Sequence, residues 1–250
     1  MHYKLLEVES RLFSRNIIQL AAETDAAEYA QHESKLIAEK TPYYIQHQLD
    51  AGDLTGIHAF EDMGFRFVEF RIFRHLENID PSTSSRYSFP FVCELVGNNA
   101  ANKKAILAIA AQHSSDDRFT RDPLISNELA KKRLELYITK SLTSYPKQFV
   151  YGLYNSQTEE LIGFRTGIFA EPGLVKYFYY FMQPQYNEPT YISMLETGVV
   201  EDLLKRKVNR IEAVSSGLNV KEMNDSSLLQ GFVVDKTMVV VRKIFEETRE

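Results

Sequence analysis

Residues Phe60–Leu76 read FEDMGFRFVEFRIFRHL, and residues Leu228–Ile244 read LLQGFVVDKTMVVVRKI. Each is a helix-like run that stops at Gly-Phe and hands over to a long strand-like run. Glycine suits the position just past a helix, because it enters the left-handed region without a Cβ clash. In the first copy, Phe65, Phe67, Glu69, Arg71 and Phe73 alternate with Arg66, Val68, Phe70 and Ile72. Apolar residues on both sides predict a strand inside a sheet, not on its edge. The two copies share their flanking helix, their strand and their place near the end of a half, which predicts an internal repeat.

Between them, the polar run ENIDPSTSSRYS, Glu77–Ser88, reads as a linker. The expected organisation is therefore an incomplete first domain over 1–76, a linker over 77–88 and a complete domain over 89–250. In the first half, YKLLEV and NIIQLAA read as strands and EYAQHESKLIAEK as a helix. TPYYIQHQL is a helix or a short strand, and DLTGIHAFEDM a helix closed by Gly64. The second half reads β-α-α-β-β-β-α-β-α-β. FPFVCELV is its first strand, QFVYGLYN and ELIGFRTGIFA form a hairpin across Ser156–Glu159, and LVKYFYYFMQ is a central strand. Hairpins followed by strand-helix-strand crossovers predict an α+β fold, a mixed and mostly antiparallel sheet flanked by helices.

The bulk composition excludes several classes. A net charge of −5 and a pI near 5.8 argue against nucleic acid as a partner, since phosphate binding wants a basic face. The single cysteine, Cys93, lies in an apolar run and rules out a disulfide framework; it reads as a small buried hydrophobe. No apolar run approaches ~18 residues, so no membrane partner is expected. The start MHYKLLEVESRLF lacks a signal peptide's apolar stretch, and a cytoplasmic chain is expected. His32, His47, His58 and His75 show no metal-ligand spacing, so no metal site is expected.

The element order, with Gly-Phe at the last helix-to-strand junction, resembles the GNAT superfamily of N-acyltransferases. The family text Asn-x-x-Ala-Ile-x-x-Tyr-x-x-x-Gly-Phe is matched by NVKEMNDSSLLQGF, Asn219–Phe232, one residue longer. Three phrases, VESRLFSRNIIQL, the Gly-Phe phrase at 61–69 and DDRFTRDPLIS, resemble in order the dTDP-fucosamine acetyltransferase type, in which a truncated GNAT half precedes a complete one. The resemblance implies acetyl-coenzyme A as acyl donor and the amine of a small metabolite as acceptor, such as a nucleotide-linked amino sugar.

Such a reaction needs main-chain donors for the cofactor's pyrophosphate, a donor for the thioester oxygen, and groups that move protons. By resemblance, the donor-binding residues are Met182, Gln183, Gln185, Tyr186, Asn187, Glu188, Pro189, Thr190 and Tyr191, with Asn219 and Ser226. The family's glycine-rich loop is matched by QYNEPT, where Glu188 and Thr190 stand at the glycine positions; the alternative is an ordinary strand-to-helix loop. Asn219 also reads as a helix N-cap. Ser227 holds the place of the family tyrosine that protonates the sulfur, and Tyr179 or Tyr180 is the other source of that proton. The loop HSSDDRFTRDP gives Asp116 or His113 to take a proton from the amine, and Asp117, Arg118 and Phe119 to contact the acceptor; it also reads as a solvated turn. On a regular strand, Tyr177, Tyr179 and Phe181 would share one side and Phe178, Tyr180 and Met182 the other.

The expected function is an acyl-coenzyme A-dependent N-acyltransferase of a small-molecule amine, with no nucleic acid and no membrane as partner and a homodimer left open. The rival readings are a GNAT-fold ligand-binding or interaction module without catalysis, and an acyltransferase served by acyl-carrier protein.

Overall fold

Both glycines of the repeat take the backbone that the sequence demands of them: φ is 88° at Gly64 and 73° at Gly231. The phenylalanine after each is buried, Phe65 at 0% and Phe232 at 6% exposure. Full burial of one such ring contributes about 1.5–3 kcal/mol, so each junction pins the start of the strand that follows. The computed structural model describes residues 1–77, 90–113, 118–225 and 231–245. Apart from Glu77, the expected linker lies outside the described residues, as does the run 226–230 ahead of Gly231.

The first half runs β1 (Tyr3–Leu5), α1 (Glu7–Phe13), β2 (Asn16–Leu20), α2 (Ala26–Lys40), β3 (Pro42–Asp50), α3 (Leu54–Asp62) and β4 (Arg66–Glu77). The second runs β5 (Phe91–Leu95), α4 (Ala100–Ala111), α5 (Arg118–Arg121), α6 (Asn127–Thr143), β6 (Gln148–Asn155), β7 (Glu160–Glu171), β8 (Leu174–Met182), α7 (Pro189–Lys205), β9 (Arg210–Ser216), α8 (Val220–Asn224) and β10 (Val233–Ile244). TPYYIQHQL is a strand, as its aromatic and β-branched residues favour. The short helix α1 takes the end of YKLLEV and the run up to Phe13, for which no element was expected, and its left-handed Ser14 turns the chain into β2.

One ten-stranded sheet holds all the strands among the described residues, in the order β1-β2-β3-β10-β4-β9-β8-β7-β6-β5. The two strands of the repeat lie side by side and antiparallel. Arg71 and Met238, each the seventh residue after its glycine, are paired. Around that pair the pattern repeats with the halves exchanged. Strand β4, the last of the first half, pairs with β9; β10, the last of the second, pairs with β3. Next out on either side comes a parallel pair, β2 with β3 and β8 with β9, each bridged by a long helix, α2 or α7. The second half then adds β6 and β5 at its edge.

Buried ion pairs lock the halves together. Glu9 of α1 accepts from Arg133 of α6 at 3.0 Å and from the Tyr137 hydroxyl at 2.8 Å. Arg118 donates to Gln46 of β3 at 2.8 Å and lies 3.6 Å from Glu69 of β4. Side-chain caps start the long helices: Asp25, Asp53, Asn99 and Ser126 each accept a first-turn N–H. Helix α7 starts differently, with Glu188 making no cap bond and Pro189 in the first turn.

Strand β8 departs from the expected alternation. Tyr180 pairs with Arg165 but Tyr177 with Gly167, so Phe178 and Tyr179 together oppose Thr166 alone. This is a β-bulge, which puts one extra residue into a strand and shifts every side chain beyond it to the other face. Tyr177 and Tyr180 consequently share one core and Tyr179 and Phe181 another, in place of the two rows that strict alternation would give.

Candidate active site

Parallel strands β8 and β9 are joined only from Leu174↔Arg210 to Tyr177↔Ala213. Beyond those four pairs they separate. Phe178–Met182 on one side and Val214–Ser216 on the other have no ladder between them, while β9 stays paired with β4 through Ser216. The counterpart pair in the first half shows no such opening: β2 stays on β3 from Asn16 to Gln19 of its five residues. Among the described residues the gap therefore occurs once. The ladder ends at Tyr177, immediately before the bulge at Phe178–Tyr179, and a bulge bends the strand that carries it.

Two cavities meet at this gap. The first, about 360 Å³, runs along the separated strand ends and reaches His113, Asn187, Asn219 and Glu222. The second, about 710 Å³, lies against β4 and α6 and is lined by Glu69, Arg71, Arg118, Arg133 and Tyr137 among others. Phe178, Tyr179, Val214, Ser215 and Ser216 line both. A molecule entering from either side would reach the same stretch of β8.

The bulge is held by Thr166. Its hydroxyl accepts the Tyr179 N–H at 3.1 Å and donates to the Tyr179 carbonyl at 3.4 Å. The Tyr179 N–H is thus engaged on the β7 side, while the Tyr179 ring stands where the cavities join, stacked against Phe181 at 6.1 Å. Tyr180 points to the other core, its hydroxyl 3.3 Å from Asp225, and burial with the nearby Glu222 carboxylate pushes its pKa far above the ordinary phenol value. Of the two tyrosines proposed to give a proton, only Tyr179 lines both cavities.

Beneath the gap, Arg165 of β7 donates to Glu196 of α7 at 2.6 Å through Nε and again through Nη2. Its guanidinium lies 4.6 Å from the centre of the Tyr177 ring and 4.7 Å from that of Tyr180. Arg74 of β4, 1% exposed, donates to Ser215 and to Glu222 at 3.3 Å, which leaves its Nε and Nη1 without a partner. Cys93 donates its thiol to the Leu195 carbonyl at 3.6 Å, and burial pushes its pKa up, which disfavours the nucleophilic thiolate.

The expected donor-binding residues fall in three groups. Asn219 caps α8 by accepting the Glu222 N–H at 3.1 Å and also lines the first cavity, so its two readings coexist. Met182 and Asn187 line that cavity too; Met182 is fully buried, and its carbonyl meets His113 Nε2. The remaining loop residues lie outside the cavity lining. Gln183 bonds Glu160 and the Leu161 carbonyl, Gln185 bonds Gln183, Tyr186 and Tyr191 pack edge to face at 5.0 Å, and Glu188, Pro189 and Thr190 are exposed at the uncapped start of α7. Glu188 is extended, with φ −122°, so this backbone does not require a glycine there. Ser226 and Ser227 lie outside the described residues.

On the acceptor side, Arg118 lines the second cavity. Phe119 does not: it is fully buried against Phe13 and Tyr44, with the Arg118 and Arg133 guanidiniums over its ring at 4.7 and 4.4 Å. It steadies the arginines from behind. His113 lines the first cavity, packed on Phe181 at 5.4 Å, not the second. Asp116 and Asp117 lie outside the described residues. Sequence reasoning missed Glu69, Arg71, Arg74, Arg133 and Thr166. For the first three a signal was present, namely charges on an otherwise apolar central strand, which need a partner or a cleft.

Among the described residues, no three His, Cys, Asp or Glu side chains are grouped to hold a metal, and no helix is long and apolar enough to cross a membrane.

No protein-family model matches the chain, and no curated protein matches it by sequence. Solved structures do. A conserved protein of unknown function from Staphylococcus epidermidis is 11% identical, with a TM-score of 0.65 over 92% of this chain and 85% of that one. A GCN5-related N-acetyltransferase from Sphaerobacter thermophilus is 12% identical, with a TM-score of 0.64 over 97% of this chain and 76% of that one. A tandem GNAT protein from the clavulanic acid biosynthesis pathway is 10% identical, with a TM-score of 0.61 over 91% and 75%. The chain has the GNAT fold.

Proposed function

We propose that this protein is an acyl-coenzyme A-dependent N-acyltransferase that modifies the amine of a small metabolite. The supporting observation is the opening between β8 and β9, with a cavity on either side and five shared lining residues. In this reading the pantetheine arm of acetyl-coenzyme A enters along the first cavity, and the acceptor approaches from the second. A thioester lying in the gap would present its carbonyl carbon to an amine beside Tyr179.

The amine nitrogen attacks that carbon in its neutral form, the carbon–sulfur bond breaks, and an amide forms. One proton leaves the nitrogen and one reaches the departing thiolate. Tyr179 is assigned the second transfer, because its ring stands where the cavities meet. The Tyr179 N–H is already bonded to Thr166, so the developing oxyanion falls to other main-chain N–H groups on the open edge of β8. The uncapped first turn of α7 leaves N–H groups for the pyrophosphate, although the Glu188 carboxylate opposes an anion there. A nucleotide-linked amino sugar is one acceptor that fits this reading.

A thermal shift titration with acetyl-, longer acyl- and free coenzyme A tests donor binding. A ligand at ~100 times its dissociation constant should stabilise the fold by ~2.7 kcal/mol. Thiol release across an amine panel then tests turnover. Saturable stabilisation without thiol release would leave a binding module, and no stabilisation by any donor would remove the acyltransferase reading.

A further inference from the structure

The second cavity carries an excess of positive charge in an acidic chain: seven basic and four acidic side chains line it, while the whole protein is at −5. Most of these charges are already matched. Arg118 has Glu69 at 3.6 Å, Arg133 has Glu9 at 3.0 Å, and Lys176 has Glu212 at 3.1 Å. Arg71 is different. It is half-buried, its guanidinium stands 5.4 Å over the Phe73 ring, and it makes no hydrogen bond or ion pair among the described residues. Glu69, two residues before it on β4, is taken up by Arg118.

Its neighbours make this placement unfavourable for a cation. Burial, together with the positive charges of Arg118 and Arg133, pushes the Arg71 pKa down to about 10. Even so, the group remains protonated at neutral pH. The Glu69 carboxylate opposes that shift without overcoming it, and is itself 3.6 Å from Arg118. A half-buried guanidinium that makes no ion pair among the described residues is costly unless something anionic completes it. Its position identifies what that is. Arg71 is paired with Ser216, the last residue of β9, which lines both cavities at the gap.

We infer that Arg71 is the anchor for an anionic group on the acceptor, so that the substrate is a small amine that also carries a carboxylate or a phosphate. The inference rests on the acyltransferase reading of the gap. A guanidinium offers two parallel N–H donors to such a group. The anion at Arg71 would turn the amine end toward Tyr179.

The test pairs amines that differ by one anionic group, glycine with methylamine and phosphoethanolamine with ethanolamine. Each is assayed for thiol release from acetyl-coenzyme A and, without coenzyme A, for thermal stabilisation, using wild type, Arg71→Gln and Arg71→Lys. The anionic member of one pair is expected to be preferred by about tenfold or more, the strength of a charge-assisted bidentate contact. That ratio should collapse in Arg71→Gln and be intermediate in Arg71→Lys, which keeps the charge without the fork; if Arg71→Gln does not fold, the lysine variant carries the test. Which pair responds separates carboxylate from phosphate. Equal use of both members, or a preference that survives in both variants, overturns the proposal. Anionic amines that stabilise the protein through Arg71 without any thiol release would uphold the anion site and remove the acyltransferase reading instead.

Discussion

Asp122 is gripped by Arg242 of β10 through two hydrogen bonds, Nε to Oδ2 at 2.7 Å and Nη2 to Oδ1 at 3.0 Å. The Asp122 side chain has no exposed surface and that of Arg242 is 11% exposed. This fork ties the loop after α5 to the strand that the second half contributes to the first. Removing one partner strands a charge out of water, which costs about 3–5 kcal/mol for a buried pair. Asp122→Ala is therefore expected to lower urea stability by that amount, and Asp122→Asn by less. A loss under about 1 kcal/mol would mean that the pair is solvated and worth no more than a surface bridge.

The fold was legible where the period and the punctuation agreed. Gly64 and Gly231 each declare a left-handed residue, and the apolar two-sided runs after them declare interior strands. The exchange of β4 and β10 between halves was not legible, because both are apolar on two sides and pairing between distant strands is decided by packing of the whole sheet. In the site, Arg118 and Asn219 could be found from local text. Phe119 was misplaced, since one aromatic among charges reads the same whether it faces a cleft or backs a guanidinium. The bulge at Phe178–Tyr179 was invisible: it depends on Thr166, across the strand, and it is what moves Tyr179 to its place.

Tyr179→Phe removes only the hydroxyl at the junction of the cavities. If that hydroxyl protonates the leaving thiolate, turnover should fall roughly 10²-fold, the low end of general acid catalysis. The thermal shift with coenzyme A should persist, because the ring and the bulge are retained. Unchanged turnover would take Tyr179 out of the proton transfer.

His47 is fully buried beside Phe60, ring centres 4.7 Å apart, with the Thr24 backbone and the Glu23 carboxylate as its polar neighbours. Burial pushes its pKa down to about 4 from 6.5. Above pH 6.5 the ring is neutral in folded and unfolded chains alike. Between 6.5 and 4 the unfolded chain takes up a proton that the folded one refuses, so stability falls with pH by up to roughly 3 kcal/mol. The loss levels off below 4. His47→Leu should flatten that limb of a stability-versus-pH curve from chemical denaturation; an identical slope in the variant would assign the acid sensitivity elsewhere.

Arg165 and Glu196 form the ion pair beneath the gap, each side chain 5% exposed. Burial pushes the Glu196 carboxyl up, opposed by the arginine, whose own pKa is raised by the glutamate. Each charge is tolerated because of the other. Glu196→Ala should therefore cost about 3–5 kcal/mol, whereas Arg165→Met combined with Glu196→Leu should come back near wild-type stability. A double-mutant cycle reads that coupling directly, and additive losses would dismiss it. Activity should not recover with stability. The guanidinium lies against Tyr177 and Tyr180, on either side of the bulged pair, and a methionine cannot hold both rings by the same contacts. A well-folded double variant with thiol release reduced about tenfold or more would show that the pair sets the course of β8 through the gap. Full activity in that variant would leave the bulge to Thr166 alone.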